Sequence, residues 1–306
     1  MITSKFVRYG KFLSFPRKIV KFTLSASYPL FIKIFKMPTV LSVEETLDAI
    51  EKNKKACVVR FGDGEILYMT DKLSLPFQKY EDRLSKSLQE ILKNNHPNLL
   101  VGLPEGYHSL KNMSSAGQTF WRSQIVWNYP RFKKYLNLQS TYFNASITRL
   151  YYGFERSYAE ANFNRWKRIL KADSVLLIEG EKTRFGIGND LLDGVQQIKR
   201  ILGPKHHAFD RADEIIAYVE QFDKPFDLIL IALGPAAKHI TLQLYLKGYR
   251  VLDVGNLDIE YEWYLRGVTE RIAIPGKYTS EVKGGREVVD LEDDTLYKSQ
   301  IVANFI

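Results

Sequence analysis

The chain has 306 residues, of which 45% are hydrophobic and 26% are charged, a composition typical of a globular protein with one large α/β domain or two smaller ones. Its single cysteine, Cys57, lies in an apolar run and has no partner for an intramolecular disulfide, which favours a reducing cytoplasm as the compartment. The net charge is +9, but residues 1–43 contain eight basic residues and no acidic one, so the remaining body is nearly neutral and a nucleic-acid-binding surface is not expected there.

The basic segment at residues 1–36 mixes Lys and Arg with aromatic and aliphatic residues at roughly helical spacing. Such a segment suits an anionic membrane surface, where each cation contributes about 1 kcal/mol. Its longest uncharged stretch covers residues 22–32 and contains Pro29, so it is too short to span a bilayer. Basic residues interrupt the apolar region, which also argues against a cleaved signal peptide. The alternative is an N-terminal helical pair that packs on the main body.

From residue 42 onward, helical and strand patterns alternate. Ser42-Val43-Glu44-Glu45 is a capping box that opens a helix reaching about residue 53. Apolar runs predict strands at residues 56–61, 99–103, 141–143, 174–178, 207–209, 227–231 and 250–254. Amphipathic patterns predict helices at residues 80–94, 117–127, 155–170, 189–201, 212–221 and 236–247.

This alternation predicts an α/β fold with a Rossmann-like, mostly parallel sheet covered by helices on both faces, plus N-terminal helices. The simplest partition is a basic helical segment at 1–40, a catalytic domain at 41–280 and a C-terminal tail at 281–306. Ligands of such sheets bind at the carboxyl ends of the strands. The unusual residues of this sequence cluster at those ends.

The first cluster is Arg60-Phe61-Gly62-Asp63-Gly64-Glu65, directly after a predicted strand. In an extended segment Asp63 and Glu65 project to the same side. Two carboxylates about 4 Å apart repel by roughly 4 kcal/mol at an effective dielectric near 20, a penalty that Mg²⁺ or Mn²⁺ would turn into binding. The alternative is a glycine turn in which Asp63 caps a following helix and Glu65 favours its first turn.

The second cluster is a glycine-rich turn at residues 179–190, after the predicted strand 174–178. If a helix begins at Asn189, the backbone N–H groups near Gly186 and Gly188 favour a phosphate, and Arg184 supplies a charged donor for the same anion. A dinucleotide fingerprint is not complete, because Leu191 stands where a third glycine is expected. A turn that needs glycine for backbone reasons explains the pattern equally well.

Two further clusters follow later strands. After 227–231, Gly234 allows close backbone approach and Pro235 suits the first position of a helix. After 250–254, the segment 255–263 carries three carboxylates beside two aromatic residues, which are the components of a general base and a sugar-stacking platform. A solvated acidic helix start is the alternative for this last cluster.

Taken together, these motifs resemble the GT-D-type glycosyltransferases. The resemblance covers roughly residues 40–280 and rests on five segments that occur in the family's order: Arg60-Phe61-Gly62-Asp63-Gly64-Glu65, Arg184-x-Gly186-x-Gly188-Asn189-Asp190, Ala232-Leu233-Gly234-Pro235, Asp258-Ile259-Glu260-Tyr261-Glu262-Trp263 and Ile274-Pro275-Gly276-Lys277-Tyr278. The family often has histidine where this chain has Asn256, so a proton-transfer role moves to the neighbouring glutamates.

The resemblance implies transfer of a hexose such as glucose from a nucleotide-sugar donor such as UDP-glucose. Asp63 and Glu65 would be the Asp-x-Glu motif that holds Mn²⁺ or Mg²⁺, and Glu260 or Glu262 would accept the proton of the acceptor hydroxyl. The donor would lie near Arg60, Gly62, Gly234 and the segment from Arg184 to Asp190, through Gly186, Gly188 and Asn189.

The acceptor would be a glycan on a lipid carrier or on a protein, in surface polysaccharide or glycoprotein synthesis. The expected location is the cytoplasm, with peripheral contact to the inner face of the cell membrane through residues 1–36. Two other functions fit the same residues: a nucleotide-sugar phosphohydrolase, and a non-catalytic membrane-associated scaffold of a polysaccharide assembly system.

Overall fold

A computed structural model describes residues 14–93, 95–111, 113–152, 154–223, 225–289 and 294–306. The strands are β1 Thr39–Val40, β2 Cys57–Arg60, β3 Leu99–Leu103, β4 Thr141–Asn144, β5 Ala172–Gly180, β6 Val195–Gly203, β7 Leu228–Ala232, β8 Val251–Asp253 and β9 Ile301–Asn304. The helices are α1 Ser14–Ile34, α2 Val43–Lys52, α3 Asp63–Asp71, α4 Asp82–Leu92, α5 Ser115–Phe132, α6 Arg156–Leu170, α7 Ala212–Val219, α8 Ala236–Leu246, α9 Leu257–Arg266 and α10 Thr295–Gln300. Short 3₁₀ turns at Glu105–Tyr107, Lys133–Tyr135, Ala145–Thr148 and Ala208–Arg211 connect some of them.

The strands of the described residues form one sheet in the order β1-β4-β3-β2-β8-β7-β5-β6-β9, and each pairing in it is parallel. The predicted α/β class and largely parallel sheet are therefore confirmed. From β2, the next strands along the chain, β3 and β4, are added on one side. The later strands β7 and β8 lie on the opposite side, with β8 directly next to β2. The crevice between β2 and β8 is thus the junction of the two halves, where ligands of open α/β sheets bind.

Helices cover both faces of the sheet, as the near-continuous apolar strands require. Successive residues of β2 divide between the two cores: Cys57 and Val59 join the core under α3, α4, α5 and α8, and Val58 joins the core under α2 and α6. The capping box predicted for α2 is confirmed, because the Ser42 hydroxyl accepts from the Glu45 N–H and the Glu45 carboxylate accepts from the Ser42 N–H.

Helix α1 packs along α5 through Phe31 and Phe35, whose rings both contact Tyr129. The Tyr129 hydroxyl also bonds to the Lys36 carbonyl, just beyond the end of the helix. Residues 1–13 of the predicted N-terminal segment lie outside the described residues. Within the described part of the chain, every helix is either too short or too polar to traverse a bilayer.

Two sequence-based assignments are wrong. The helix predicted at 189–201 is replaced by turns and by β6, which pairs with β5 from Val195 to Gly203. The strand predicted at 207–209 is a 3₁₀ turn that follows His207 in the left-handed region. The C-terminal segment at 281–306 contains β9, which pairs with β6 at the edge of the sheet.

Candidate active site

The site begins where β2 and β8 end side by side. The Arg60 guanidinium pairs with the Asp253 carboxylate at 2.8 Å and also bonds to the Asp253 carbonyl and the Thr148 hydroxyl. A Cβ on Gly255 would lie 1.9 Å from the Arg60 Nη2 atom, so only glycine fits at this turn. Arg60, predicted to bind the donor, thus fixes the strand ends to one another and is almost fully buried.

Glu65 lies on the first turn of α3, and its carboxylate is held from two sides. The Gly62 N–H donates to Oε2 at 2.9 Å, and the Lys238 ammonium lies 3.0 Å from Oε1. Lys238 is itself buried and lies 3.2 Å from the Asp253 carboxylate. Although burial opposes it, the Lys238 ammonium lowers the pKa of Glu65 below its usual value. Glu65 is therefore ionised and fixed in place.

Asp63 precedes Glu65 on the same helical turn and is exposed. The predicted extended geometry is wrong here, because Asp63 and Glu65 lie on the first turn of a helix. They still interact: partial desolvation and the charge of Glu65 raise the pKa of Asp63, whereas Arg149 lowers it. The alternative of a helix start is correct in part, with Glu65 rather than Asp63 capping the Gly62 N–H.

The described residues contain no group of three or more His, Cys, Asp and Glu side chains that could hold a metal ion. A two-carboxylate site nevertheless fits Mg²⁺ or Mn²⁺ that is shared with phosphate oxygens, since Mg²⁺ usually takes one or two carboxylates and completes its shell with substrate and water. Asp63 is accessible, and the Glu65 carboxylate keeps unused lone pairs after its two bonds. The chemistry of this donor set is compatible with the predicted cation.

At the rim of the β2–β8 crevice, the Glu281 carboxylate binds three side chains. Arg149 approaches it with both terminal nitrogens, and Arg271 and Asn256 each donate at 2.8 Å. Burial opposes the shift, but Arg149 and Arg271 lower the pKa of Glu281 below its usual value. Arg149, Asn256, Arg271 and Glu281 together form the rim cluster.

The two glutamates predicted as candidate bases are both buried. Glu260 is 1% exposed, and its Oε2 accepts from the N–H groups of Tyr151 and Tyr152 at 3.1 and 3.0 Å. Burial raises the pKa of Glu260 above its usual value, against the opposing charge of Arg149. These contacts fix the chain around residues 151–152, and they leave Glu260 poorly placed to meet an acceptor hydroxyl.

The carboxylate of Glu262 is also held by its neighbours, in this case by side chains. Its carboxylate accepts from the Asn189 amide at 2.8 Å, from Lys277 at 3.0 Å and from Arg266 at 3.2 Å. Burial opposes the shift, but Lys277 lowers the pKa of Glu262 below its usual value. The proton-accepting role of either glutamate remains a prediction that the geometry does not favour.

The glycine-rich turn does not lie at a helix start as predicted, because it continues through further turns into strand β6. Arg184 is buried: its guanidinium donates to the Gly276 carbonyl at 2.6 Å and pairs with Asp294 at 2.7 Å. The Gly186 N–H donates to Asp258 at 2.9 Å, and Gly186 and Gly188 both take positive φ values. The need for these backbone angles accounts for both glycines.

The remaining residues of the turn are tied to the protein as well. Asn189 donates to Asp258 as well as to Glu262, and Asp190 pairs with Lys167 at 2.6 Å and accepts from the Tyr261 hydroxyl. The segment from Arg184 to Asp190 is therefore fixed against α9 through Asp258, Tyr261 and Glu262, and the Asp190 side chain stays half exposed. Gly234, at the end of β7, does lie beside the crevice, since its carbonyl is 3.3 Å from the Lys238 ammonium.

A model of the glycosyltransferase GT-D fold matches residues 58–282. The chain belongs to this family. The solved structure of a new glycosyltransferase (DUF1792) from Streptococcus sanguinis superposes on this GT-D chain with a TM-score of 0.81, at 33% identity, covering 88% of this chain and all of that one. A second solved structure, described as a highly conserved domain of unknown function 1792 with a distinct glycosyltransferase fold, has the same TM-score at 35% identity and covers 94% of this chain and all of that one.

Two curated relatives of the GT-D chain are considerably longer than it is. Glycosyltransferase GlyD of Streptococcus pneumoniae serotype 4 is 36% identical over 269 residues, which are 87% of this chain and 32% of the relative. The probable glycosyl transferase Gly of Streptococcus gordonii is 35% identical over 271 residues, 87% of this chain and 39% of the relative. The GT-D chain thus corresponds to about a third of the length of these relatives.

Several residues of the GT-D site are absent from the sequence-based prediction of site residues, among them Lys238, Asp253, Arg149, Arg271 and Glu281. Lys238 lies in the segment that follows β7, and Arg149 lies among aromatic residues after β4. Both segments stand out in the sequence, but no local pattern assigns either residue a role. Their partners come from distant parts of the chain. Glu281 lies beyond the predicted end of the domain, and its sequence context carries no motif.

Proposed function

We propose that this GT-D chain transfers a hexose, glucose being the first candidate, from a UDP-sugar to a glycan acceptor. The acceptor is carried by a lipid or a protein in the synthesis of a surface polysaccharide or a glycoprotein. The observation that supports this proposal most is the exposed Asp63 beside the fixed Glu65 at the β2–β8 crevice of a GT-D family member. A carboxylate pair at this position suits a donor that arrives with a divalent cation.

We further propose that Asp63 and Glu65 hold Mn²⁺ or Mg²⁺. When bound, the cation would neutralise the nucleoside diphosphate that leaves the sugar. The chain's own residues prepare this position: Lys238 and the Gly62 N–H keep Glu65 ionised and oriented, and Arg60 fixes the strand ends behind it. Asp63 stays accessible, with Arg149 close enough to affect its pKa.

The test is a pair of variants, Asp63→Asn and the double variant Asp63→Ala/Glu65→Ala, in an assay that follows sugar transfer from nucleotide sugars. Both should lose metal-dependent transfer, whereas Glu214→Ala, a carboxylate at an exposed ion pair on α7, should keep it. Asp63→Asn leaves the Glu65–Lys238 pair intact and should keep the wild-type unfolding midpoint. Unchanged turnover in the double variant would refute the assignment.

The same assay distinguishes the other two functions. A phosphohydrolase would release sugar and nucleoside diphosphate at the same rate with and without acceptor, whereas a transferase should depend on the acceptor. A non-catalytic scaffold would bind no donor, so UDP with Mn²⁺ would not raise its melting temperature.

We also propose that α1 contacts an anionic membrane surface. Opposite the face that packs on α5, this helix has an exposed apolar stripe formed by Ile19, Phe22, Leu30 and Ile34, with exposed fractions of 51%, 71%, 64% and 67%. An in-plane helix buries such a stripe in the headgroup region, and the cations of residues 1–36 favour anionic lipids.

Vesicle co-sedimentation tests this partner. The wild type should bind vesicles that contain phosphatidylserine more strongly than neutral ones, and Phe22→Glu with Leu30→Glu should abolish binding. Leu246→Glu, which changes an exposed leucine at the end of α8, is the control and should bind normally. Equal binding of the α1 variant and the control would contradict the proposal.

A further inference from the structure

The rim cluster is built as an anion-binding site. Arg149 places two N–H donors on the Glu281 carboxylate, while Arg271 and Asn256 add one each from separate segments. Together they give two contacts to each carboxylate oxygen. A planar guanidinium recognises carboxylate and phosphate oxygens with the same forked geometry. The donors of this cluster would therefore accept a phosphate in place of Glu281.

The cluster lies next to the proposed cation position. Arg149 follows the 3₁₀ turn after β4, and Asn256 follows β8, so both come from carboxyl ends of strands on either side of β2. Arg149 directly follows Thr148, whose hydroxyl accepts a hydrogen bond from the Arg60 guanidinium at the end of β2. An anion bound by Arg149 would lie beside the exposed carboxylate that starts α3.

The donors are held in position and remain open to solvent. The Arg271 guanidinium stacks over the Tyr152 ring at 4.6 Å and lies 5.9 Å from the Trp263 ring centre. The side chains of Arg149 and Arg271 are 41% and 37% exposed. Glu281 pairs bidentately with Arg149 within a charge network, so its displacement has a cost, which a diphosphate offsets because its oxygens pair with the same donors.

Glu281 belongs to a surface segment, residues 280–287, that lines a cavity of about 370 Å³. The segment is anchored by a hydrogen bond from the Thr279 N–H to the Gly285 carbonyl and by Val282, which packs against the cluster of Ile259, Trp263 and Ile274. The Glu281 side chain itself can rotate away from the rim while the segment keeps its place.

We propose that Arg149, Arg271 and Asn256 form the subsite for the diphosphate of the donor, and that Glu281 occupies this subsite until the donor enters. This inference rests on the proposed function, and it gives the diphosphate a place that the buried Arg184 cannot provide. Donor binding then rotates the Glu281 side chain away from Arg149, Arg271 and Asn256.

Calorimetric titration with inorganic pyrophosphate, UDP and uridine, all with Mg²⁺ present, tests the subsite. Glu281→Gln keeps the shape of the side chain and removes its charge, so pyrophosphate and UDP should bind several-fold more tightly. Arg149→Met should weaken both by about tenfold or more, as expected for the loss of hydrogen bonds between charged groups. Uridine, which lacks the diphosphate, should bind equally to all variants. Glu287→Gln, on the same segment, should match the wild type.

The double variant Arg149→Met/Glu281→Gln tests whether Glu281→Gln tightens ligand binding by freeing Arg149 or only by removing a negative charge from the site. If Glu281 competes for Arg149, the gain from Glu281→Gln should largely disappear in the Arg149→Met background. If Arg149→Met fails to fold, Arg271→Met, which changes a more peripheral donor, should give the same loss.

The outcomes distinguish this inference from the function on which it rests. If UDP binds the wild type but the Glu281 and Arg149 variants leave its affinity unchanged, the subsite is wrong and the donor class stands. If neither UDP nor pyrophosphate binds any of the proteins, including Glu281→Gln, both proposals are overturned.

Discussion

Replacing Lys238 with methionine should destabilise the protein far more than the loss of one surface charge. Lys238 is 5% exposed and lies between the carboxylates of Glu65 and Asp253, which are themselves largely buried. Removing one partner of a buried ion pair typically costs 3–5 kcal/mol. Asp253 keeps Arg60 as a partner and Glu65 keeps the Gly62 N–H, so we expect the lower end, about 3 kcal/mol.

Equilibrium unfolding in urea measures this cost, with Lys247→Met as the matched control. Lys247 lies just past the end of the same helix, and its ion pair with Glu220 is exposed, so its loss should cost less than about 1 kcal/mol. A double variant, Lys238→Met/Glu65→Leu, should recover part of the loss, because it no longer leaves the Glu65 charge without its cation.

The pH dependence provides a second check. Although burial opposes the shift, Lys238 and Arg60 hold the pKa values of Glu65 and Asp253 below their usual range. Such carboxylates stabilise the folded state above their ordinary pKa, and the contribution is lost as the pH falls through the folded value. Without Lys238 both pKa values rise, so the wild type and the variant should differ most near neutrality and less below about pH 4. Equal costs for Lys238→Met and Lys247→Met at pH 7 would refute this reasoning.

Gly255→Ala should cost about 3 kcal/mol or more in unfolding titrations, because its Cβ would lie 1.9 Å from the Arg60 guanidinium and disturb the pair with Asp253. Gly248→Ala, at another positive φ but with open space around the new Cβ, should cost only about 1 kcal/mol; similar losses would contradict the steric explanation. Burial lowers the pKa of His239 to about 4, so the unfolded chain takes up the additional proton between about pH 6.5 and pH 4. Stability should fall by about 3 kcal/mol across that window, and His239→Gln should flatten this part of the curve measured by urea titration at each pH.

Most strands could be predicted because they are buried on both faces and read as continuous apolar runs. β2, β3, β5, β7 and β8 all follow this rule. β6 does not, since its first half is partly exposed and contains polar residues. Val195, Ile198 and Ile201 have helical spacing, and only the pairing with β5 over the full length of the strand makes this segment extended.

The positions of charged residues could be predicted better than their partners. The family resemblance located Asp63 and Glu65, but no local pattern reveals that Lys238 neutralises Glu65 or that Arg184 is buried against Asp294. These pairs join residues far apart in the chain. A glycine-rich turn next to an arginine therefore predicts a phosphate site. In the structure its glycines allow positive φ angles, and its arginine binds a backbone carbonyl nearer the C-terminus.

The last described segment has a consequence for synthesis of the protein. Arg184 pairs with the buried carboxylate of Asp294, and β6 gains its outer neighbour from Ile301–Asn304. During translation both contacts become possible only after residues 294–304 have emerged from the ribosome, whereas domains otherwise begin to fold from the N-terminal side. The half of the sheet around β5 and β6 should therefore complete its packing after the strands nearer the N-terminus, β1 to β4.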